Sequence, residues 1–463
     1  MSTYNRVVAA DETASLAPTV RARLATEMAD PATEVGASLS GTFATVAKNL
    51  LARMENNAAI PTTMASPPSI DHSAAPAGTR TLYSAYGFGT EGHVSLLGPT
   101  SGWSSSARSR SASSTLSGID LIADTSVLHL SVISESDNGI SMWVWVDGQP
   151  TTAAPENIAA SVGASVVTNI TFAARQRHRI TVYVGGINAW AYVTVDALGS
   201  SEAAPEMPRV ALDGDSFYAG SASSSATTAG AAIIARALGV NPIVLAAGGT
   251  GYAAGATQIG DAARTAAAAA FGAQAIIISG AVNDSATGLA TAATTAYANY
   301  ATALPGVPVI VFGPQPTNAT DTVSATRAQI IAAVKSSAEA APNVIAFYDQ
   351  VGTGATATAP AAFATYTTYT YGDLVSYRGA VFEWRAATGG NSGPYIPTES
   401  TSWSLKTWAY VGTGYANATT GNGSRDIYLG VSGSTDQVHP SKAGQEAFSA
   451  IQVNRIRQAL AVA

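Results

Sequence analysis

The sequence of 463 residues contains no cysteine, few charged residues and only five histidines. The absence of cysteine excludes disulfide bonds and thiolate chemistry, although it leaves the compartment open. Charged residues make up 11% of the chain, against about 25% in an average globular protein, whereas 47% of it is hydrophobic. This composition argues against disorder and predicts roughly two to four folded domains, each with its own core.

The charges and apolar runs exclude several kinds of partner. The formal net charge of −7 and the absence of a Lys/Arg cluster argue against a nucleic-acid ligand. The N-terminus has no charged start followed by an apolar core, so we expect no secretory signal peptide. The Ala-rich stretch at 262–282 is interrupted by Arg264 and Gln274, which makes it too weakly apolar for a membrane span. No cluster of histidines and cysteines indicates a zinc site, and we expect no metal.

One short stretch joins an apolar strand start at 209–212 to a polar turn at 213–216. The glycine within this turn permits a sharp bend, which would lift the hydroxyl of Ser216 out of the sheet edge. A serine nucleophile needs a base and a third group that orients the base. The only histidine C-terminal to Ser216 is His439, and Asp436 precedes it by three residues. We therefore predict Ser216 as nucleophile, His439 as base and Asp436 as orienting group; the alternative is an ordinary turn serine and a surface histidine.

Four short blocks around these residues resemble those of the SGNH or GDSL hydrolases. The resemblance implies a serine esterase that requires no cofactor, with an oxyanion hole formed by the Ser216 N–H, the Gly251 N–H and the Asn283 side chain. Ala246 stands where the family usually has an asparagine, so Gly249 remains a rival to Gly251 as donor. The resemblance covers about 205–365 and 405–463, with its blocks at 214–216, 244–252, 280–284 and 436–439.

From 204 to 463 the chain alternates apolar runs with Ala-rich helical segments such as 229–238. This alternation predicts an α/β domain with a flavodoxin-like, five-stranded parallel sheet and helices on both faces. The first three blocks each follow an apolar run, which places them at the carboxyl edge of the sheet, where open α/β sheets bind ligands. The five runs are 210–212, 243–246, 275–278, 307–312 and 344–348.

Residues 1–56 predict a helical segment for attachment or oligomerisation. An apolar stripe recurs every three or four residues, which fits either self-association, for instance of three chains, or packing on the chain's own domain. The stretches 16–24 and 29–36 resemble N-terminal segments of tail proteins from phages of actinobacteria. That resemblance implies a location in the virion and other tail proteins as partners. The stripe consists of Val35, Leu39, Phe43, Val46, Leu50 and Met54, and residues 57–80 predict a linker.

Residues 81–203 change to a period of two, which is typical of half-buried strands. Hairpins are expected at Asp147-Gly148 and at Gly185-Gly186. Many short strands of this kind predict an antiparallel β-sandwich, and the layout resembles SGNH esterases that carry a jelly-roll module before the catalytic domain. Trp143 and Trp145 share one strand face, which fits either a sugar platform or a core or interface pair.

An aromatic-rich stretch at 366–408 lies within the predicted hydrolase domain. Its spacing resembles the small chitin-binding modules of families five and twelve. Aromatic faces stack on sugar rings, so the resemblance implies Tyr377, Trp384 and Trp403 as a carbohydrate-binding platform. The alternative is that these aromatics form the core of a small β-rich inserted domain.

These features together predict a virion-associated esterase that removes an O-acyl group, O-acetyl in our hypothesis, from a glycan on the host cell surface. The inserted module would hold the polymer, and the chain would form a homo-oligomer, for which we expect a trimer. One alternative is a receptor-binding tail protein whose hydrolase fold serves adhesion. A second is a cellular lipase or acyl-thioesterase, which leaves the insert and the N-terminal helices unexplained. The identities of the sugar and of the acyl group stay open.

Overall fold

The computed structural model describes most of the chain between 41 and 413 and part of a helix at its C-terminal end. The predicted catalytic residues Asp436 and His439, and Trp403 of the insert, lie outside the described residues. The described residues are 41–58, 64–72, 80–84, 95–98, 116–134, 139–185, 188–221, 226–315, 325–348, 350, 361–370, 374–377, 380–384, 390–391, 408–413, 445, 449, 452–453, 455–457 and 459–461.

The first described element, helix α1 (Gly41–Asn57), packs against the α/β part of the chain. Leu50, Leu51 and Met54 are buried in the same hydrophobic core as Leu238 and Ile456. The C-terminal part of the predicted apolar stripe is therefore covered by the chain's own domain. Oligomerisation through residues 1–40 stays a prediction, because that segment lies outside the described residues.

The second part of the structure is an antiparallel sheet of ten strands. Its central strands β4 and β8 pair along almost their whole length, and the shorter strands flank their two halves. The strands are β1 (Ser69–Asp71), β2 (Arg80–Ser84), β3 (Ser95–Leu97), β4 (Leu116–Ser134), β5 (Ile140–Val146), β6 (Gln149–Pro150), β7 (Glu156–Ile158), β8 (Ser165–Gly185), β9 (Asn188–Val195) and β10 (Ser200–Ala203).

A break in strand register keeps one face of β4 apolar along both of its halves. The pairing of β4 with β8 shifts between Thr125 and Val127. Before the break the odd-numbered residues of β4, such as Ile119, enter the core, and after it the even-numbered ones, such as Leu130, do so. Because a one-residue slip moves side chains to the other face, both halves of β4 contribute to one shared core.

Two expectations for this region were wrong. Residues 69–71 form β1, which pairs with β8, so the predicted linker at 57–80 contains a strand of the ten-stranded sheet. The hairpin expected at Gly185-Gly186 does not form, because β9 pairs with one edge of β4 and β8 with the other. The hairpin at Asp147-Gly148 is confirmed: both residues have positive φ, and Val146 pairs with Gln149.

The α/β part contains a sheet of five parallel strands in the order β12-β11-β13-β14-β15. This is the doubly wound order of flavodoxin-like folds, which confirms the predicted sheet. Residues of β13 alternate between the two covering layers, since Ile277 joins the core with α1 and Ile276 joins the opposite core. The elements are β11 (Arg209–Gly214), α2 (Ser216–Ala219), α3 (Gly230–Leu238), β12 (Asn241–Val244), α4 (Ala262–Phe271), β13 (Ala275–Ser279), α5 (Leu289–Ala303), β14 (Val309–Phe312), α6 (Ala325–Ala340) and β15 (Val344–Tyr348).

A buried arginine joins the ten-stranded sheet to the α/β part. The Arg236 guanidinium of α3 lies 4.6 Å from the ring centroid of Trp143 and 5.6 Å from those of Trp145 and Tyr183. Cation–π contacts of this kind gain strength when the cation is desolvated. The tryptophan pair is therefore part of the interface between the two parts, in agreement with one of the two alternatives for it.

The described insert consists of two small antiparallel sheets, one of β16 with β19 and one of β17, β18 and β20. Its β-rich character agrees with the prediction, and its last strand extends past the expected boundary at 408. Among the helices that the structure describes, none is long and apolar enough to cross a membrane. The strands are β16 (Thr368–Tyr369), β17 (Leu374–Tyr377), β18 (Ala380–Trp384), β19 (Gly390–Asn391) and β20 (Trp408–Thr413).

Candidate active site

Ser216 is the first residue of the short helix α2, directly after the carboxyl end of β11. Asp215 caps this helix by accepting a hydrogen bond from the Phe217 N–H at 3.0 Å. Gly214 permits the close approach of β11 to β13, because a Cβ there would lie 2.2 Å from the Ser279 carbonyl oxygen on the adjacent strand. The turn expected from the sequence is therefore present, and it leaves Ser216 6% exposed.

The loop after β12 passes beside Ser216. It continues the sheet pairing at its start, since the Leu245 N–H donates to Leu212 O at 2.9 Å. A Cβ on Gly248 would lie 3.9 Å from the Ser216 Cβ, the nearest atom to it. Gly249 has a φ of +72°, and a Cβ there would meet no atom within 4 Å. Backbone of this second block therefore borders open space next to the candidate nucleophile.

An oxyanion donor needs an N–H group that is available to the substrate, and the N–H of Gly251 is already hydrogen-bonded within its loop. Its N–H donates to Ala254 O at 2.9 Å, and its carbonyl oxygen accepts from the Ile259 N–H at 2.9 Å. Both polar groups of its backbone thus have partners within the loop. This geometry argues against Gly251 as an oxyanion donor and favours its rival, Gly249.

The third block holds the second block in place. The Asp284 carboxylate accepts the N–H groups of Tyr252, Ala253 and Ala254, each at 2.9 Å. Asn283 donates one amide hydrogen to Thr250 O at 2.9 Å. An amide group carries two N–H donors, so the exposed Asn283 keeps a second one for a ligand.

A buried ion pair that the sequence analysis missed lies beneath these loops. The side chain of Arg264 is 6% exposed and contacts Asp213 Oδ1 at 2.5 Å. It also donates to Gly214 O and to Thr250 Oγ1, both at 2.9 Å. The Tyr300 hydroxyl donates to Asp213 Oδ2 at 2.7 Å. This network joins the end of β11 to the second block, whereas in the sequence Arg264 only interrupts an Ala-rich run.

A second network that the sequence did not indicate surrounds Ser279, the last residue of β13. Its Oγ lies 3.0 Å from Nε2 of Gln315, 3.2 Å from Nε2 of Gln350 and 3.1 Å from Nε2 of Gln452. The Tyr218 hydroxyl of α2 donates to Gln452 Oε1 at 2.8 Å. Buried polar groups of this kind hold a unique arrangement when their hydrogen bonds are made.

Asp215, between the strand and the nucleophile, titrates far from its ordinary range. Burial raises the pKa of its carboxyl to about 7, and the nearby charge of Asp284 adds to the increase. The N–H groups of Phe217 and Val282 and the charge of Arg264 oppose the shift. A substantial fraction of Asp215 is therefore protonated at neutral pH.

The helix that follows the predicted base lies against the nucleophile helix. Described residues of this C-terminal helix (445, 449, 452–453, 455–457 and 459–461) are helical, and the first of them, Gln445, follows His439 by six residues. A Cβ on Gly230 would lie 2.8 Å from Gln445 Oε1 and 3.8 Å from Phe217 O. Gln445 therefore lies beside both the start of α3 and the nucleophile helix, while the role of His439 stays a prediction.

Two residues of the predicted sugar platform, Tyr377 and Trp384, lie on paired strands of the insert. Tyr377 pairs with Ala380, and Val375 pairs with Phe382 two residues away. Val375, on the same strand as Tyr377, is 1% exposed. The carbohydrate-binding role of these positions stays a prediction.

Among the residues that the structure describes, no group of three or more histidine, cysteine or acidic residues could hold a metal ion. The sequence matches no protein-family model, and it matches no curated protein.

Several solved structures match part of this chain at low sequence identity. A family two carbohydrate esterase from Cellvibrio japonicus matches with 15% identity and a TM-score of 0.44, over 58% of this chain and 88% of that one. An acetyl xylan esterase from Butyrivibrio proteoclasticus matches with 13% identity and a TM-score of 0.42, over 58% and 89%. A salicylyl-acyltransferase from a tetracycline biosynthetic pathway matches with 15% identity and a TM-score of 0.43, over 59% and 86%. Similarity at this level says nothing about the activity of this chain.

Proposed function

We propose that the protein is a serine esterase of the SGNH type. The observation that carries this proposal is the position of Ser216. It begins a helix at the carboxyl end of a central strand, beside the glycine turn of the second block. Open parallel sheets bind their ligands at this edge.

In the proposed reaction, Ser216 Oγ attacks the ester carbonyl carbon while the His439 imidazole accepts the hydroxyl proton. Asp436 orients the imidazole and stabilises its charged form. The tetrahedral intermediate then collapses, the bond to the alcohol oxygen breaks, and the imidazolium returns the proton to that oxygen. Water attacks the acyl-enzyme by the same route, which releases the carboxylic acid and regenerates Ser216.

Negative charge develops on the carbonyl oxygen in both steps. Its proposed donors are the N–H of Ser216, the N–H of Gly249 and the second amide hydrogen of Asn283. Gly249 replaces Gly251 in this role, because the Gly251 N–H already donates to Ala254 O. Donors that are fixed before the reaction stabilise this charge without the cost of reorganisation.

For the substrate we propose an O-acetylated glycan on a host cell surface. The resemblance of the N-terminal stretches to phage tail segments supports an extracellular target, and the β-rich insert supports a polymeric one. Assembly with other virion tail proteins and a trimeric state are parts of the same proposal. Size-exclusion chromatography with light scattering would measure the number of chains directly.

The first test is hydrolysis of p-nitrophenyl acetate and of longer p-nitrophenyl esters. We expect hydrolysis of acetate, and a loss of kcat of roughly a thousandfold or more in Ser216→Ala and in His439→Ala. Ser221→Ala, a serine just beyond α2, is the matched control and should keep full activity. Preference for long acyl chains would favour a lipase, and absence of hydrolysis of every ester would favour the adhesion alternative.

A further inference from the structure

A buried amide connects the nucleophile helix with the C-terminal helix. Gln452 of the C-terminal helix is 1% exposed, and its Oε1 accepts a hydrogen bond from the Tyr218 hydroxyl at 2.8 Å. Tyr218 belongs to α2 and follows Ser216 by two residues. The other end of the amide, Nε2, donates to Ser279 Oγ at 3.1 Å and to Gln350 Oε1 at 2.6 Å. One side chain therefore contacts α2 and the ends of two sheet strands.

The hydrogen bonds of Gln452 restrict movement of the C-terminal helix along α2. Burial raises the pKa of the Tyr218 hydroxyl, so this group stays protonated and acts as a donor. A shift of the C-terminal helix along α2 would take from the buried Gln452 Oε1 its donor, the Tyr218 hydroxyl. Leaving a buried polar group without a partner costs about 1–3 kcal/mol, so the network opposes such a shift.

We propose that Gln452 is a positioning residue for the esterase reaction. It holds α2 against the C-terminal helix through Tyr218, and thereby positions the Ser216 hydroxyl at the start of α2. This inference rests on the proposed function, in which His439 is the base. A misplacement of about 1 Å between reacting groups can cost about a hundredfold in rate, so a modest shift of the helix has a large effect.

Other anchors of the same helix contact different elements and supply controls. The Tyr348 hydroxyl, at the end of β15, donates to Arg455 O at 2.9 Å. Arg457 donates to Ala237 O on α3 at 2.7 Å. These bonds hold the C-terminal helix to the domain without touching α2. Tyr348→Phe and Tyr218→Phe therefore each remove one hydrogen bond from a tyrosine hydroxyl to this helix. The bond lost in Tyr348→Phe does not involve α2, which carries Ser216.

The kinetic experiment measures Tyr218→Phe, Gln452→Met and the double variant Tyr218→Phe/Gln452→Met. Tyr348→Phe is the control variant. We expect the first two variants to lower kcat for p-nitrophenyl acetate by roughly tenfold to a hundredfold, with KM within about twofold of the wild type. The double variant should lose no more than Gln452→Met alone, because both changes break the same contact. Tyr348→Phe should lower the melting temperature by a similar amount but keep kcat within about twofold of the wild type. Equal losses of kcat in Tyr218→Phe and Tyr348→Phe would overturn the proposal.

Hydrogen exchange measures the same coupling without reference to turnover. In Tyr218→Phe, amide exchange should accelerate in peptides from both 215–221 and 445–461. In Tyr348→Phe it should accelerate in the second peptide alone. If the wild type hydrolyses no ester, the proposed function fails, and exchange alone then decides the coupling. Unchanged exchange at 445–461 in both Tyr218→Phe and Gln452→Met would disprove the coupling between α2 and the C-terminal helix.

Discussion

The Asp284 carboxylate occupies the space that a side chain on Gly251 would need. A Cβ built on Gly251 would lie 2.4 Å from Asp284 Oδ2. The same carboxylate accepts three successive N–H groups of the loop at 252–254. Because glycine has no side chain, the backbone at Gly251 can lie close enough to Asp284 for the loop to fold around this carboxylate. The second and third blocks therefore form one structural unit.

Removal of this carboxylate should destabilise the protein. Asp284→Ala leaves three loop N–H groups without their acceptor, and we expect the free energy of unfolding to fall by about 3 kcal/mol. Asp284→Asn retains one acceptor oxygen and should lose less. Urea unfolding, followed by tryptophan fluorescence, measures both changes. Two variants within about 0.5 kcal/mol of the wild type would show that the loop holds its shape without the carboxylate.

Loss of the Asn283 side chain should affect turnover far more than stability. In Asn283→Ala one proposed oxyanion donor is missing, which typically costs about 2.7–4 kcal/mol, or a hundred- to a thousandfold in kcat. Its side chain is exposed, so the melting temperature should change little. Asn299→Ala is the matched control, because Asn299 makes the same type of bond to Gly260 O at 3.0 Å. Equal kcat values for the two variants would remove Asn283 from the oxyanion hole.

Local sequence patterns predicted the parts of this molecule that depend on neighbouring residues. The apolar runs indicated all five strands of the parallel sheet, and Ser216 follows the first of them as predicted, although Gly214 is required by Ser279 on the neighbouring strand. The turn at Asp147-Gly148 depends on two adjacent residues that tolerate positive φ. For the strands and for this hairpin, the physical cause, periodic burial or backbone freedom, lies within a few residues.

Contacts between distant residues could not be predicted in this way. Arg264 pairs with Asp213 across 51 residues, and Gln452 meets Tyr218 across 234. Neither pair leaves a periodic pattern, since a single buried polar residue resembles an exposed one in sequence. The hairpin expected at Gly185-Gly186 failed for a related reason: adjacency in sequence suggested pairing, but β4 lies between β8 and β9. Gly251 illustrates the same limit, because its glycine is required by Asp284 rather than by a substrate oxygen.

Breaking the buried ion pair from one side should be severe. In Arg264→Met the carboxylate of Asp213, which is 0% exposed, loses its positive partner, and we expect a loss of about 3–5 kcal/mol in the free energy of unfolding. The double variant Asp213→Asn/Arg264→Met removes both charges and should recover part of that loss. Urea unfolding of the two single variants and the double variant forms a complete cycle. A double variant less stable than Arg264→Met would contradict this account of the pair.

Asp215 should make stability depend on pH in a defined direction. Its pKa is about 7 in the folded protein and 3.8 in its ordinary range, so the folded state holds a proton that the unfolded state releases. The stabilisation is therefore complete below about pH 4 and is lost as pH rises through 7, by up to roughly 4 kcal/mol. Asp215→Asn keeps an acceptor for the Phe217 N–H and does not titrate. Relative to the wild type, this variant should gain stability steadily between pH 4 and 7, measured by urea unfolding at each pH. A difference between the two proteins that stays constant over this range would show that Asp215 keeps an ordinary pKa in the folded state.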